Sequence, residues 1–215
     1  MKFVMAYSCG KDSTLALHHM IQQGNEPVAL ITMVNQEEER SFFHGADYKM
    51  LLEYEEALGI PVLITPTTGE EYHLAMEKGL QKATALGAEI ACFGDLDIED
   101  NRKWSESRCE RVGIQSAFPL WQKDRSDNVY ELIDLGYKCL IKSVNNTLLP
   151  KELLGRIIDQ DVIQIMGNCG IDICGENGEY HTLVVDGPIF QKPLAYKTGK
   201  ILDFGEFSVI ETTVM

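Results

Sequence analysis

The chain has 215 residues, 45% apolar and 24% charged, with no low-complexity tract or internal repeat. That composition excludes disorder and supplies enough material for one large domain or two small ones. Its 33 acidic against 19 basic residues leave a net charge of -14, which opposes bulk attraction to RNA or DNA, because nonspecific affinity comes from Lys and Arg neutralising phosphates. No segment approaches the ~20 apolar residues of a membrane span, and MKFVMAYS is too short an apolar run for a signal peptide, so a cytoplasmic protein without membrane partners is expected.

Four near-continuous apolar runs open the chain: KFVMAY (2–7), VALITMV (28–34), PVLITP (61–66) and EIACFG (89–94). Such runs suit parallel strands covered on both faces. Helical patterns lie between them near 12–23, 47–58 and 70–86, with Gly24 and Gly59 as stop signals. A charged helix, NRKWSESRCERVG, and a strand-like QSAFPLW carry this βαβ alternation to about residue 122. Beyond it, RSDNVYELIDLGY reads as a helix, KCLIKSV as a strand, and PKELLGRIID as a helix with Pro150 in its first turn. Strands then dominate, YHTLVVDGPIF, LAYKTGKIL and FSVIETTV, with turns expected at Asp186-Gly187-Pro188 and Thr198-Gly199. The pattern predicts a Rossmann-like doubly wound parallel sheet over residues 1–122 and a smaller α+β domain over 123–215.

The six cysteines lack the density of a disulfide framework. Cys92 and Cys139 read as buried strand thiols, while Cys169 and Cys174 stand close enough for a metal or sulfur-transfer pair, without a second pair at zinc-ligand spacing.

SCGKDS (8–13) falls at the first strand-to-helix turn, the favoured phosphate site of a doubly wound sheet. Backbone N–H groups and the positive end of the helix suit an anion there, Ser8 and Ser13 add hydroxyls, and Lys11 adds charge. The Walker pattern fails, since Gly10-Lys11 is followed by Asp12 and no glycine lies five before Gly10. A carboxylate beside a polyphosphate is repulsive without a cation, so Asp12 fits a direct or water-mediated Mg²⁺ contact; a helix cap is the alternative.

SCGKDS resembles the SGGxDS loop of the ATP pyrophosphatases, whose members adenylate a substrate and hold the departing pyrophosphate. SFFHGAD, FGDLDIEDNRKWSESRCERVGI, AFPLW and above all GIDICGENGEYHTLVVDGPIF resemble the diphthine–ammonia ligase family within it. The resemblance covers most of residues 1–190. It implies an adenine-nucleotide hydrolase-like fold and an enzyme that joins ammonia to a carboxylate, cleaving ATP to AMP and pyrophosphate. The implied acceptor is diphthine, a modified histidine on the translocating elongation factor; ATP, Mg²⁺ and ammonium are the implied small partners, and a homodimer is allowed for.

On this reading Ser8, Gly10, Lys11, Asp12 and Ser13 hold pyrophosphate and metal, and Thr32 and Met33, at the end of the second strand, receive adenine through their backbone. Gly94 and Asp95 end the fourth strand and face the same crevice. Arg102, two helical turns on, offers a planar fork to a phosphate or the acceptor carboxylate, and Glu106 at i+4 belongs either to the acceptor side or to a helix salt bridge with it. Glu176, Glu179 and His181, around Gly175 and Gly178, could bind ammonium or take its proton; a polar turn before an edge strand is the alternative. His44, Gly178 and Thr182 complete the acceptor side, Lys142 and Arg156 match weaker family positions, and His18 and His19 read as packing or surface residues.

Two departures stand out. Cys9 occupies a family glycine, tolerable at negative φ and strained at positive φ, and is a candidate redox-sensitive thiol; SVNNTLLP (143–150) also departs from the pattern. The rival readings are a tRNA-modifying adenylating enzyme of thiolase or lysidine type, which calls for a basic surface, and a noncatalytic adenine-nucleotide sensor.

Overall fold

The computed structural model describes residues 1–215. Its first half alternates strand and helix: β1 (Lys2–Ala6), α1 (Lys11–Gln22), β2 (Glu26–Asn35), the two-residue β3 (Arg40–Ser41), α2 (Tyr48–Leu58), β4 (Val62–Thr67), α3 (Tyr72–Ala85), β5 (Ile90–Cys92), α4 (Glu99–Val112) and β6 (Gln115–Ala117). β2 pairs in parallel with β1 and β4, β1 with β5, and β5 with β6. The parallel order is therefore β4-β2-β1-β5-β6, and the chain reverses direction across the sheet between β1 and β5. Where the sequence signals were explicit the boundaries agree closely: the Asp47 carboxylate accepts from Met50 N at 2.8 Å to start α2, and Gly59 ends it at φ 66°.

Period-two alternation in β1 divides the core. Phe3 and Met5 face α1 and α2, packing with Leu15, Leu17, Met50, Leu51 and Tyr54, while Val4 faces α3 and α4 with Met76, Leu80 and Cys109. The larger cluster continues without a break into the second half, taking in Leu132, Ile141, Val144, Leu183 and Ile210. There α5 (Arg125–Asp134) leads to β7 (Lys138–Asn145), α6 (Gln160–Asn168), β8 (Tyr180–Asp186), β9 (Tyr196–Asp203) and β10 (Phe207–Val214), the strands forming an antiparallel sheet in the order β8-β7-β10-β9. No helix is long and apolar enough to cross a membrane.

Three expectations fail here. PKELLGRIID is not a helix: only a single 3₁₀ turn forms at Lys151–Leu153, because Gly155 turns at φ 79°. The segment then runs extended beside β7, with Ile141 N bonded to Arg156 O and Ile158 N to Cys139 O, both at 2.9 Å. The helix comes later, α6, launched by the Asp159 carboxylate accepting from Val162 N at 2.8 Å. Thr198-Gly199 is not a turn but lies inside β9. Gly199 is there for close approach, since a Cβ on it would fall 2.9 Å from Glu211 Oε2, and the chain reverses instead at Gly205, φ 83°. QSAFPLW keeps a strand only to Ala117.

Cys9 sits at φ 70°, the strained alternative, at about 1–2 kcal/mol for an L residue. Its carbonyl accepts from Val184 N at 2.9 Å, which ties the loop after β1 to β8. The thiol is fully buried, and burial pushes its ionisation well above the ordinary range. A redox-sensitive thiol needs exposure and thiolate character, so that expectation is overturned by burial.

Candidate active site

The crevice at the reversal point is a cleft of about 660 Å³, within the ordinary range for a small-molecule site. Ser8, Lys11, Asp12 and Ser13 line it from the β1–α1 turn, Gly94 and Asp95 from just after β5, Glu176 and Gly178 from the turn before β8, and His181 and Thr182 from β8 itself, with Phe43 and His44 between them.

The β1–α1 turn is rigid because its side chains bond to its own backbone. Ser8 Oγ and Ser13 Oγ lie 3.0 Å apart, Ser13 Oγ donates to Gly10 O at 3.1 Å, and Thr14 Oγ1 donates to the same carbonyl at 2.8 Å. Helix α1 begins at Gly10 with no side-chain cap from its own segment. The Lys11 N–H instead donates to Thr182 Oγ1 at 3.1 Å, across to β8, while the N–H groups of Asp12 and Ser13 have no partner within the chain. Asp12 is thus not the cap. Two open N–H groups at a helix start make an anion seat, and Gly94 keeps it open: a Cβ there would lie 2.9 Å from Ser13 N and 3.0 Å from Asp12 C. Gly94→Ala is expected to raise KM for nucleotide about 10-fold by displacing this turn and to lower stability by about 1–3 kcal/mol through overpacking, measured by initial rates and denaturant melts.

Lys11 is buried to 5% exposure, with its Nζ 2.7 Å from Asp12 Oδ2 and 5.7 Å from the Tyr180 ring centroid. Burial favours the neutral amine, but the Asp12 carboxylate outweighs it and holds the lysine charged. The second Asp12 oxygen, Oδ1, takes a long contact from Cys174 Sγ at 3.9 Å. Burial, then the nearby Asp12 charge, push the Glu176 carboxyl up to about 7, and burial pushes Asp95 up to about 6.

His44 arrives by a route the strand pattern does not reveal. β4 occupies one edge of β2 as far as Asn35, so β3, paired at Val34 and Asn35, lies on the edge where β1 has already ended at Ala6. The residues after β3 therefore hang over the β1–α1 turn. His44 donates from Nδ1 to Thr182 O at 2.6 Å, and its ring covers Gly10, where a Cβ would fall 2.3 Å from Cε1. Burial and the adjacent His181 lower the His44 imidazolium to about 3, which leaves a neutral ring with Nε2 free. His181, 5.2 Å away between centroids, is also held neutral by burial and by Lys11.

Several expected residues stand elsewhere. Arg102 pairs with Glu106 at 2.8 Å and lies 4.7 Å from the Trp121 ring centroid, so both are engaged with neighbours on and beside α4 rather than on the cleft wall. The Glu179 carboxylate accepts from Asn177 N at 3.0 Å and Asn177 Nδ2 at 3.1 Å and holds the turn shape. Thr32 and Met33 line a side pocket of only about 90 Å³ that shares Phe42, Tyr72 and Met76 with the cleft. The Met33 carbonyl already accepts from Phe42 N at 3.1 Å. Of the expected cysteine pair, both are free thiols, Cys169 exposed and Cys174 buried. Sequence reasoning missed Cys174 as a neighbour of Asp12, and it missed the aromatic wall of Phe42, Tyr72 and Trp104, where Phe42 meets Tyr72 edge-to-face at 5.2 Å and Tyr72 meets Trp104 tilted at 5.7 Å between centroids. The available signal was their place: Tyr72 starts α3 and Trp104 lies early in α4, both past carboxyl ends of strands.

The family model described as the diphthamide synthase N-terminal domain matches residues 1–116, and that of the diphthamide synthase C-terminal domain matches residues 124–212. The chain belongs to the diphthamide synthase family. Among curated members, the human protein named diphthine–ammonia ligase is 24% identical over 94% of this chain and 85% of its own length. The bovine protein of the same name gives the same figures. The Saccharomyces cerevisiae protein of that name is 25% identical over 89% of this chain but only 34% of its own length, so this chain spans about a third of it. A solved structure described as a predicted subunit of a tRNA methyltransferase from Methanocaldococcus jannaschii is similar at TM-score 0.47 and 17% identity, covering 90% of this chain and all of that one.

Proposed function

We propose that this chain is an ATP-dependent, AMP-forming amide ligase of diphthine–ammonia ligase type. The observation that carries the reading is one cleft that joins an open helix N-terminus, a buried charged lysine and a carboxyl group titrating near neutral pH. Amide formation from a carboxylate needs an activated acyl group. A carboxylate oxygen of the acceptor attacks the α-phosphorus of ATP, and the bond to pyrophosphate breaks. Ammonia then attacks the acyl carbon, the bond to AMP breaks, and the proton shed by nitrogen is taken by a base.

The Asp12 and Ser13 N–H groups and the Lys11 ammonium bind the departing pyrophosphate, and the aromatic wall of Tyr72 and Trp104 offers faces for adenine stacking. Glu176, ionised on the upper side of about pH 7, is the base for ammonia. No three His, Cys, Asp or Glu side chains form a metal cage. Mg²⁺ requires none, since it is held through one or two carboxylates plus phosphates and waters, and Asp12, with one oxygen on Lys11 and the other facing only a thiol, fits that role. A bound Mg²⁺ supplies charge neutralisation on the phosphates. The sulfur-transfer alternative is disfavoured because Cys174 is pushed up to about 12 by burial, which leaves no thiolate at neutral pH.

The test is incubation with ATP, Mg²⁺, ammonium and diphthine-bearing elongation factor. AMP and pyrophosphate should appear together with one amide per acceptor. ADP as the nucleotide product would overturn the mechanism, and nucleotide binding without turnover would favour the sensor reading.

A further inference from the structure

A second cavity of about 490 Å³ lies on the far side of the Phe43, His44 and His181 wall, and those three residues line both spaces. Its cations are unusual for so acidic a chain. Lys142, 3% exposed, sits where the β7–β8 register shifts between Ile141 and Ser143, and such a bulge re-aims a side chain. Its ammonium is held by Ile210 O and by Thr212 Oγ1 at 3.2 Å and makes no ion pair, Asp47 and Glu211 acting on it only from beyond contact distance. Arg40 donates to Gly45 O at 3.0 Å and also lacks an ion pair. Ser143, 6% exposed, has a buried hydroxyl with no hydrogen-bond partner in the same wall. A buried ammonium, a guanidinium and an orphaned hydroxyl together lack one thing, a small anion with two acceptor oxygens.

The remaining walls refine the ligand. Glu38 and Glu211 also line the cavity, so a bare dianion gains little there, whereas a ligand with a positive centre beside its carboxylate meets both signs. Phe207 and Phe204 add aromatic faces that suit such a cation. At the mouth, Phe43 and Phe204 are 72% and 68% exposed and Leu202 is 39% exposed, an apolar rim that a small metabolite does not need and a protein surface covers.

Resting on the amide-ligase reading, we propose that the second cavity receives the acceptor side chain, a carboxylate-bearing group with a positive charge nearby. It is carried by a protein that docks on Phe43, Leu202 and Phe204. Arg40, Lys142 and Ser143 draw the carboxylate in, and the shared His44–His181 wall is where it crosses to the nucleotide. ATP and acceptor thus approach from opposite sides.

The test is acceptor titration with diphthine-bearing elongation factor against the wild type, Arg40→Gln, Phe204→Ala and Lys142→Met, read both as KM in the AMP-forming assay and as Kd by fluorescence without ATP. Losing a charge-assisted contact should weaken acceptor KM and Kd about 10-fold or more, with nucleotide Kd within about 2-fold of the wild type. Arg40 and Phe204 are surface side chains, so their variants carry the test even where Lys142→Met fails to fold. Unchanged acceptor KM and Kd in both surface variants would overturn the proposal. If the wild type binds acceptor but makes no AMP, the ligase reading fails, and the Kd values still decide whether this cavity holds the acceptor.

Discussion

Asp12→Asn is expected to lower kcat about 100-fold or more and to raise the Mg²⁺ concentration needed for half-maximal rate, since on the proposed mechanism the carboxylate that neutralises Lys11 would also hold the metal. The same substitution strands a buried ammonium. Breaking a buried pair by removing one partner costs about 3–5 kcal/mol, and because the Asp12 side chain keeps 25% exposure the loss should fall at about the lower end of that range. A triphosphate in the cleft gives Lys11 a new partner, so saturating ATP should recover more thermal stability in the variant than in the wild type. Full Mg-dependent activity in Asp12→Asn would remove the carboxylate from the reaction.

Glu176→Gln should lower kcat about 100-fold and flatten its pH profile. In the wild type the rate should rise with pH through an inflection near 7, where burial and Asp12 place this carboxyl, since on the proposed mechanism the ionised form takes the proton from ammonia. An inflection that survives the substitution would assign it to another group, Asp95 at about 6 being the neighbour with a matching shift. Both acids are raised in the folded state, so the unfolded chain ionises first as pH climbs. Their contribution to stability is full below the ordinary carboxylate range of ~4 and is lost as pH rises to about 6 for Asp95 and about 7 for Glu176. Melts between pH 4 and 8 should show that decline, reduced in Glu176→Gln.

Legibility followed the range of the interactions. Helix stops at Gly24 and Gly59, both at positive φ, are local and were visible as glycines before a strand. PKELLGRIID failed because its apolar residues satisfy a helical period while Gly155 and the open edge of β7 offer a competing extended partner. Thr198-Gly199 failed because a glycine facing Glu211 across a ladder looks, in one dimension, like a glycine in a turn.

The sequence by itself determined the alternating α/β order, the place of the SCGKDS turn between β1 and α1, and the family, because each rests on contiguous residues. Tertiary structure decided the rest. It gave α1 a cap from Thr182, 171 residues away from Lys11, and put His44 over Gly10 through a two-residue strand. It also turned Arg102 and Glu179 toward neighbours outside the cleft and raised Glu176 by burying it beside Asp12. Those outcomes depend on which groups lose water together, and burial is a property of the packed whole rather than of any stretch of chain.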